Sequence, residues 1–134
     1  MTPFHLKIVS PDGLLFDGQA EELIVRTTNG DVAILARHIN YVAALGMGRA
    51  VVVADGKRRT AACIGGMLSV VDGEVTLVPT TFEWADKIDL NRAEASLRRA
   101  NQVLHDQNAS DTEIKLAEAR LRRALVRKNV ASYK

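Results

Sequence analysis

Two hydrophobic rhythms divide this chain. Before Phe82, apolar residues alternate with polar ones at the period of two expected of strands. From Leu90 they recur every three or four residues, with no Gly or Pro from Ala85 to the end, which is a helical pattern. The first rhythm predicts strands near residues 4–9, 14–16, 23–27, 32–35, 42–45, 50–54, 60–64, 67–71 and 75–78. Turn chemistry separates them at Pro11-Asp12-Gly13, Asp17-Gly18, Asn29-Gly30, Asp55-Gly56 and Asp72-Gly73, because Pro presets φ and Gly accepts positive φ. Gly65-Gly66 marks a bulge, a close backbone approach or a plain turn. Short strands punctuated this often predict a β-sandwich or flattened barrel rather than βαβ units.

The second rhythm predicts two helices. Leu90, Ala93, Leu97, Ala100 and Leu104 form one stripe, with Asp89 as the natural N-cap. Ile114, Ala117, Leu121, Ala124 and Leu125 form the other, opened by Ser110 and Glu113 at capping-box spacing. Gln107-Asn108-Ala109 carries no stripe and reads as the connection, so the helices pair as an antiparallel hairpin. The fold class is therefore α+β: a β-sandwich over 1–84, then a helical hairpin over 85–134. The seam, Phe82 to Ala93, holds the only Trp of the chain, Trp84. The hairpin stripes are narrow and Ala-rich, so alone the hairpin is expected to be marginally stable.

Composition narrows the class. At 134 residues and 47% hydrophobic, the chain can bury one β core but hardly a second large one. No apolar run approaches the ~20 residues of a bilayer span, and the start lacks the character of a signal peptide. Cys63 is alone, so no disulfide or Cys metal cluster is expected within the chain, in keeping with an intracellular setting. Charge is uneven. Residues 1–84 carry 7 Lys/Arg against 9 Asp/Glu (−2), while residues 85–134 carry 11 against 7 (+4). The helical arm is the basic part and suits an acidic partner.

Candidate chemistry is sparse. There is no phosphate-cradling Gly loop, nucleophile elbow or paired-His motif. His5, His38 and His105 fall on three elements, so no metal site is expected, and His5 reads as a surface strand residue. Cys63 reads as a small core residue. No catalytic constellation is present, which argues against an enzyme. Two features remain: the basic ladder Arg120, Arg122, Arg123, Arg127 and Lys128, and the segment Ile88 to Ala93. The plain readings are a solvated helix face, with Glu118 paired to Arg122, and a capped helix start.

In order and spacing, several motifs resemble the ε subunit of bacterial F-type ATP synthases over essentially the whole chain. They are Val9-Ser10-Pro11-Asp12-Gly13, the stretch Gly30 to His38, Ile64-Gly65-Gly66-Met67-Leu68-Ser69-Val70, the seam, and Arg123-Ala124. The resemblance implies a non-catalytic subunit of the rotating central stalk. It implies a β-sandwich foot on the γ subunit and the c-ring, and a mobile hairpin that reaches the α/β catalytic head to block ATP hydrolysis. It further implies a peripheral position on the cytoplasmic face of the bacterial cell membrane, held only through the complex.

Residue roles follow from the same resemblance. Asp31, Arg37 and His38 would meet the c-ring loops, although Ala36-Arg37 replaces the family's usual Pro-Gly and so removes the residues that preset that turn. Arg120, Arg122, Arg123 and Arg127 would meet an acidic segment of the β subunit. Glu83, Ile88, Asp89, Arg92, Ala93, Arg99, Arg123 and Arg127 match positions that bind ATP in family members that sense it. ATP would then be a regulatory ligand and no cofactor would be required. Two alternatives stay open: a rotor part whose hairpin never inhibits, and a nucleic-acid module using the basic helix. The net acidic β half, with no aromatic stacking platform, disfavours the second.

Overall fold

The computed structural model describes residues 2–133, which divide into two compact units, residues 2–84 and 85–133. The first contains eight strands: β1 (Phe4–Ser10), β2 (Gly13–Ala20), β3 (Glu22–Thr27), β4 (Gly30–Ile34), β5 (Tyr41–Ala44), β6 (Met47–Ala54), β7 (Lys57–Val71) and β8 (Glu74–Trp84). Their hydrogen-bonded order is β2-β1-β8-β7-β6-β3-β4, with β5 also paired to β7. All neighbours are antiparallel except β1 and β8, which run parallel over three residue pairs.

β7 organises the sandwich. Its first half pairs with β6 up to Met47↔Ile64, and its second half pairs with β5 from Ala44↔Met67. The register is continuous across the gap, so β5 and β6 act as one counter-strand interrupted at Leu45-Gly46. Leu45 donates its N–H to the Gly66 carbonyl at 2.8 Å, and Gly65 donates to that of Gly46 at 3.0 Å. Gly65 and Gly66 hold φ of +67° and +105°. Residues 60–64 and 67–71 are thus one strand with a corner, and of the three readings of Gly65-Gly66 the close approach is the right one. A Cβ on Gly66 would collide with the Val78 carbonyl and come within 2.6 Å of Pro79 Cα. Pro79, which has no N–H to offer a ladder, occupies β8 opposite this corner.

Alternation fills the core from both layers. Phe4, Leu6, Ile8, Leu23, Val25, Ile34, Leu68, Val70, Val75 and Leu77 are buried together. Cys63 is buried with them, and burial pushes its thiol up to about 12. Trp84 closes this unit, edge-on to Phe82 with ring centroids 4.9 Å apart, and the Arg59 guanidinium lies 3.7 Å over its ring. Turns at Asp55-Gly56 and Asp72-Gly73 have positive φ at both residues, the two-residue hairpin geometry predicted for them. Asp17-Gly18 is not a turn; β2 runs through it to Ala20, because Gly18 stays paired with Leu6. In the β3–β4 hairpin Gly30 is already paired with Thr27, so the loop residues are Thr28 and Asn29.

The second unit opens with a 3₁₀ turn, Ala85–Lys87, followed by α1 (Leu90–Leu104) and α2 (Asp111–Ala131). The Asp89 carboxylate caps α1 by accepting from Arg92 N–H at 3.0 Å. Ser110 and Glu113 form a complete capping box on α2. The buried stripe is mostly small, Ala93 and Ala100 on α1 and Ala117 and Ala124 on α2, with Val130 and Ala131 buried at the C-terminal end of α2. Leu90 and Leu125, predicted on the buried stripes, are exposed. They fall at the margins of a seam only one residue wide, where small side chains let the backbones approach.

Gly66→Ala is expected to cost about 2–4 kcal/mol, since it adds both a backbone clash and an unfavourable φ. Urea unfolding followed by circular dichroism checks this, and a midpoint matching the parent would contradict the corner geometry.

Candidate functional site

Three surfaces carry the residues singled out in the sequence. The first is the β3–β4 hairpin with the turn that follows it. Asp31 opposes Arg26 across the hairpin and pairs with it, Arg26 Nε donating to Oδ1 at 3.0 Å. Arg26 escaped sequence reasoning, because its role depends on register. Its stem lies over Gly48, where a Cβ would come within 2.8 Å of Arg26 Cβ. The glycine leaves room for that stem beside Asp31. Beyond β4, His38 N–H donates to the Leu35 carbonyl at 3.3 Å, closing a turn with Arg37 at φ +65°. The turn therefore persists without Pro-Gly, with an arginine in a left-handed conformation. The Arg37 side chain is exposed, and the His38 ring stands 5.7 Å from that of Tyr41.

The second surface is the outer face of β5, β7, β8, β1 and β2. Register places Ala44 beside Met67 and Met67 beside Val78; continuing the parallel ladder reaches Val9, and Val9 pairs with Leu14. These five residues form an apolar row across five strands, about 19 Å long at ~4.8 Å per strand. Met67, Val78 and Leu14 are exposed, Leu14 to 61%, and Val42 next to the row to 63%. A contiguous band of this kind marks an interaction surface rather than scattered surface apolarity.

The third surface is the helical unit. Of the Ile88 to Ala93 segment, Ile88 and Ala93 are buried and Asp89 is occupied as a cap. The Arg92 side chain is exposed and makes no hydrogen bond or ion pair among the described residues. Between the helices lies a groove of about 440 Å³. Arg99 and Arg120 meet there with Ser96 and Glu113, over a floor that includes Ala100 and Ala117. The structure thus brings together two arginines assigned above to different surfaces, whereas Arg92, Arg123 and Arg127 do not line this groove. Arg122 is exposed on α2, and Arg123 and Arg127 are half-buried. Arg122 and Glu118 form no ion pair among the described residues, so the i,i+4 balance expected there is absent. Glu83 belongs to β8 in the other unit and is half-buried.

Comparison with known proteins agrees along the whole length. The family profile "ATP synthase, Delta/Epsilon chain, beta-sandwich domain" matches residues 3–85, and "ATP synthase, Delta/Epsilon chain, long alpha-helix domain" matches residues 86–132. The chain belongs to the ATP synthase delta/epsilon family. Among its curated relatives, the ATP synthase epsilon chain of Ruminococcus albus is 41% identical, covering 100% of both chains. That of Bacillus velezensis is 39% identical over 98% of each. Among solved structures, a chain of the Euglena gracilis mitochondrial ATP synthase (OSCP/F1/c-ring) superposes with a TM-score of 0.84 at 21% identity, over 100% of this chain and 83% of that one. A chain from the central stalk/c-ring part of the Tetrahymena thermophila enzyme gives 0.63 at 9% identity, with 95% of each covered. At such identities the superpositions speak for the fold alone. No helix among the described residues is long and apolar enough to cross a membrane.

Replacing Arg37 by glycine removes a left-handed penalty of ~1–2 kcal/mol and adds ~0.5–1 kcal/mol of unfolded-state entropy. The urea midpoint of Arg37→Gly is therefore expected to rise at unchanged slope, by about 0.5–1 kcal/mol in stability. A lowered midpoint would mean that the Arg37 side chain holds the turn through its own contacts.

Proposed function

We propose that this chain is a non-catalytic rotor subunit of an F-type ATP synthase, which couples ion translocation to ATP synthesis and restrains ATP hydrolysis with its helical hairpin. The observation that carries the reading is the contrast between the two units. One has a thick core and an exposed apolar row suited to permanent docking. The other is a thin, basic hairpin with an Ala-rich seam. A part that must stay and a part that can move are what a coupling foot with a brake requires.

In this reading the row from Ala44 to Leu14 rests on the γ subunit. Asp31, Arg37 and His38 face the c-ring loops, with Asp31 already partly neutralised by Arg26. Arg120, Arg122, Arg123 and Arg127 meet an acidic segment of the β subunit. Exposed pairs contribute only ~0–1 kcal/mol each, so several act together and salt weakens the contact.

ATP acts as the regulatory ligand of the folded hairpin. A polyanion favours the conformation that gathers the most guanidinium groups, and its differential affinity alone shifts the population. Arg99 and Arg120 already flank one groove of ligand size. Arg92, Arg123 and Arg127 lie further along the same two helices, outside this groove.

Add-back to a catalytic complex stripped of this subunit tests the proposal. The full chain is expected to bind and inhibit ATP hydrolysis, with relief at high ATP. A chain ending at Asp86 is expected to bind without inhibiting, and Met67→Glu with Val78→Glu to abolish binding. Inhibition by the shortened chain, or none by the full one, would remove the brake from the account.

A further inference from the structure

On the outer face of β1 the His5 ring stands between two carboxylates. Its Nε2 is 2.6 Å from Asp17 Oδ1 on β2, and its Nδ1 is 2.5 Å from Glu74 Oε2 at the start of β8. A neutral imidazole has one N–H donor and one lone pair, and an ionised carboxylate only accepts. With both carboxylates ionised, two short contacts at opposite nitrogens are satisfied only when both nitrogens carry protons. Removing one would set a nitrogen lone pair against a carboxylate oxygen. The carboxylates approach from opposite sides of the ring, so the three groups do not converge on a metal position.

The location gives this arrangement leverage. β1 meets β8 over three residue pairs, Leu6 to Ile8 against Val75 to Leu77, in the sheet's one parallel ladder. His5 and Glu74 immediately precede that ladder on its two strands. β2 is a terminal strand of the sheet, paired with β1. A single ring thus ties the edge strand, its neighbour and β8 together at the start of a ladder only three residue pairs long.

We propose that His5 is a proton-held clasp: protonated, it fastens the β1–β2 ribbon to β8, and on losing its proton it lets the ribbon loosen. This goes beyond the rotor reading and does not depend on it.

The other groups facing the ring modulate the clasp. Lys7 lies two residues along β1 and opposes Asp17 in register, but forms no ion pair with it among the described residues. Gln19 opposes His5 on β2, Thr76 follows Glu74 on β8, and Val71 of β7 opposes Glu74; none of these is charged. Asp72 lies in the turn between β7 and β8, two residues before Glu74. Hydrogen bonding to Asp17, then to Glu74, raises the His5 pKa above its ordinary 6.5. The unfolded chain thus loses the proton first as pH rises. The clasp contributes fully below pH 6.5, and its contribution disappears as pH rises through the folded pKa.

Nuclear magnetic resonance on the full chain reads both halves of the claim. The His5 ring nitrogens are expected to be both protonated at pH 6 and to titrate with a midpoint above 6.5. Amide exchange in residues 13–20 should accelerate several-fold beyond its intrinsic pH dependence across that same midpoint. Asp17→Asn and Glu74→Gln should each lower the midpoint, and His5→Gln should abolish the step in exchange. A neutral single tautomer at pH 6, or a titration at or below 6.5, would overturn the clasp. So would β2 exchange with no step, or a step that persists in His5→Gln.

Discussion

At Gly65 and Gly66 β7 passes from its pairing with β6 to its pairing with β5, and the chain runs so close to the Val78 carbonyl and Pro79 that no side chain fits on Gly66. Much else depends on that approach. Because β7 continues through the corner, β5 and β6 share one register against it, and β8 pairs with it on both sides of the corner. That register sets Ala44, Met67 and Val78 side by side, and the parallel β1–β8 ladder carries the line on to Val9 and Leu14. The apolar outer row is thus a consequence of the corner, since a one-residue slip would turn these side chains inward and expose the core.

The helical unit is built on the opposite principle. It buries mainly alanines, with Ile88 and Val130, where the β unit buries Leu, Ile, Val and aromatics, and Leu90, Leu116 and Leu125 are exposed. Burial stabilises at ~25 cal/mol per Å² of apolar surface, so an alanine seam contributes little. Complete caps at Asp89 and Ser110 preserve each helix as a helix while leaving its packing weak.

Much of this was legible in the sequence for local reasons. Asp55-Gly56 and Asp72-Gly73 announce hairpins because both residues must adopt positive φ, and Ser110 with Glu113 announces a helix start by a reciprocal hydrogen bond four residues wide. What was hidden depends on contacts distant in the chain. Gly18 looks like punctuation until its pairing with Leu6 is known, and the join of 60–64 to 67–71 rests on the backbone of β5 and β8. His5 looks like a bland surface residue because Glu74 is 69 positions away. The Arg26–Asp31 pair was within reach as a cross-strand neighbour, but the trough over Gly48 that accommodates Arg26 was not. At the candidate nucleotide residues, sequence assigned Asp89 two roles and the structure accounts for it as a cap, while Arg120 gained a place beside Arg99.

The central claim is that one unit stays docked while the other changes position. A pair of spin labels, at Thr28 in the β3–β4 loop and at Asn108 between the helices, would read the distance in the assembled complex. Labelling is selective because the native Cys63 is buried, with a thiol pushed up to about 12. The account predicts two distance populations whose proportions shift between nucleotide-free and ATP-saturated complex. One unchanged distance under both conditions would contradict it.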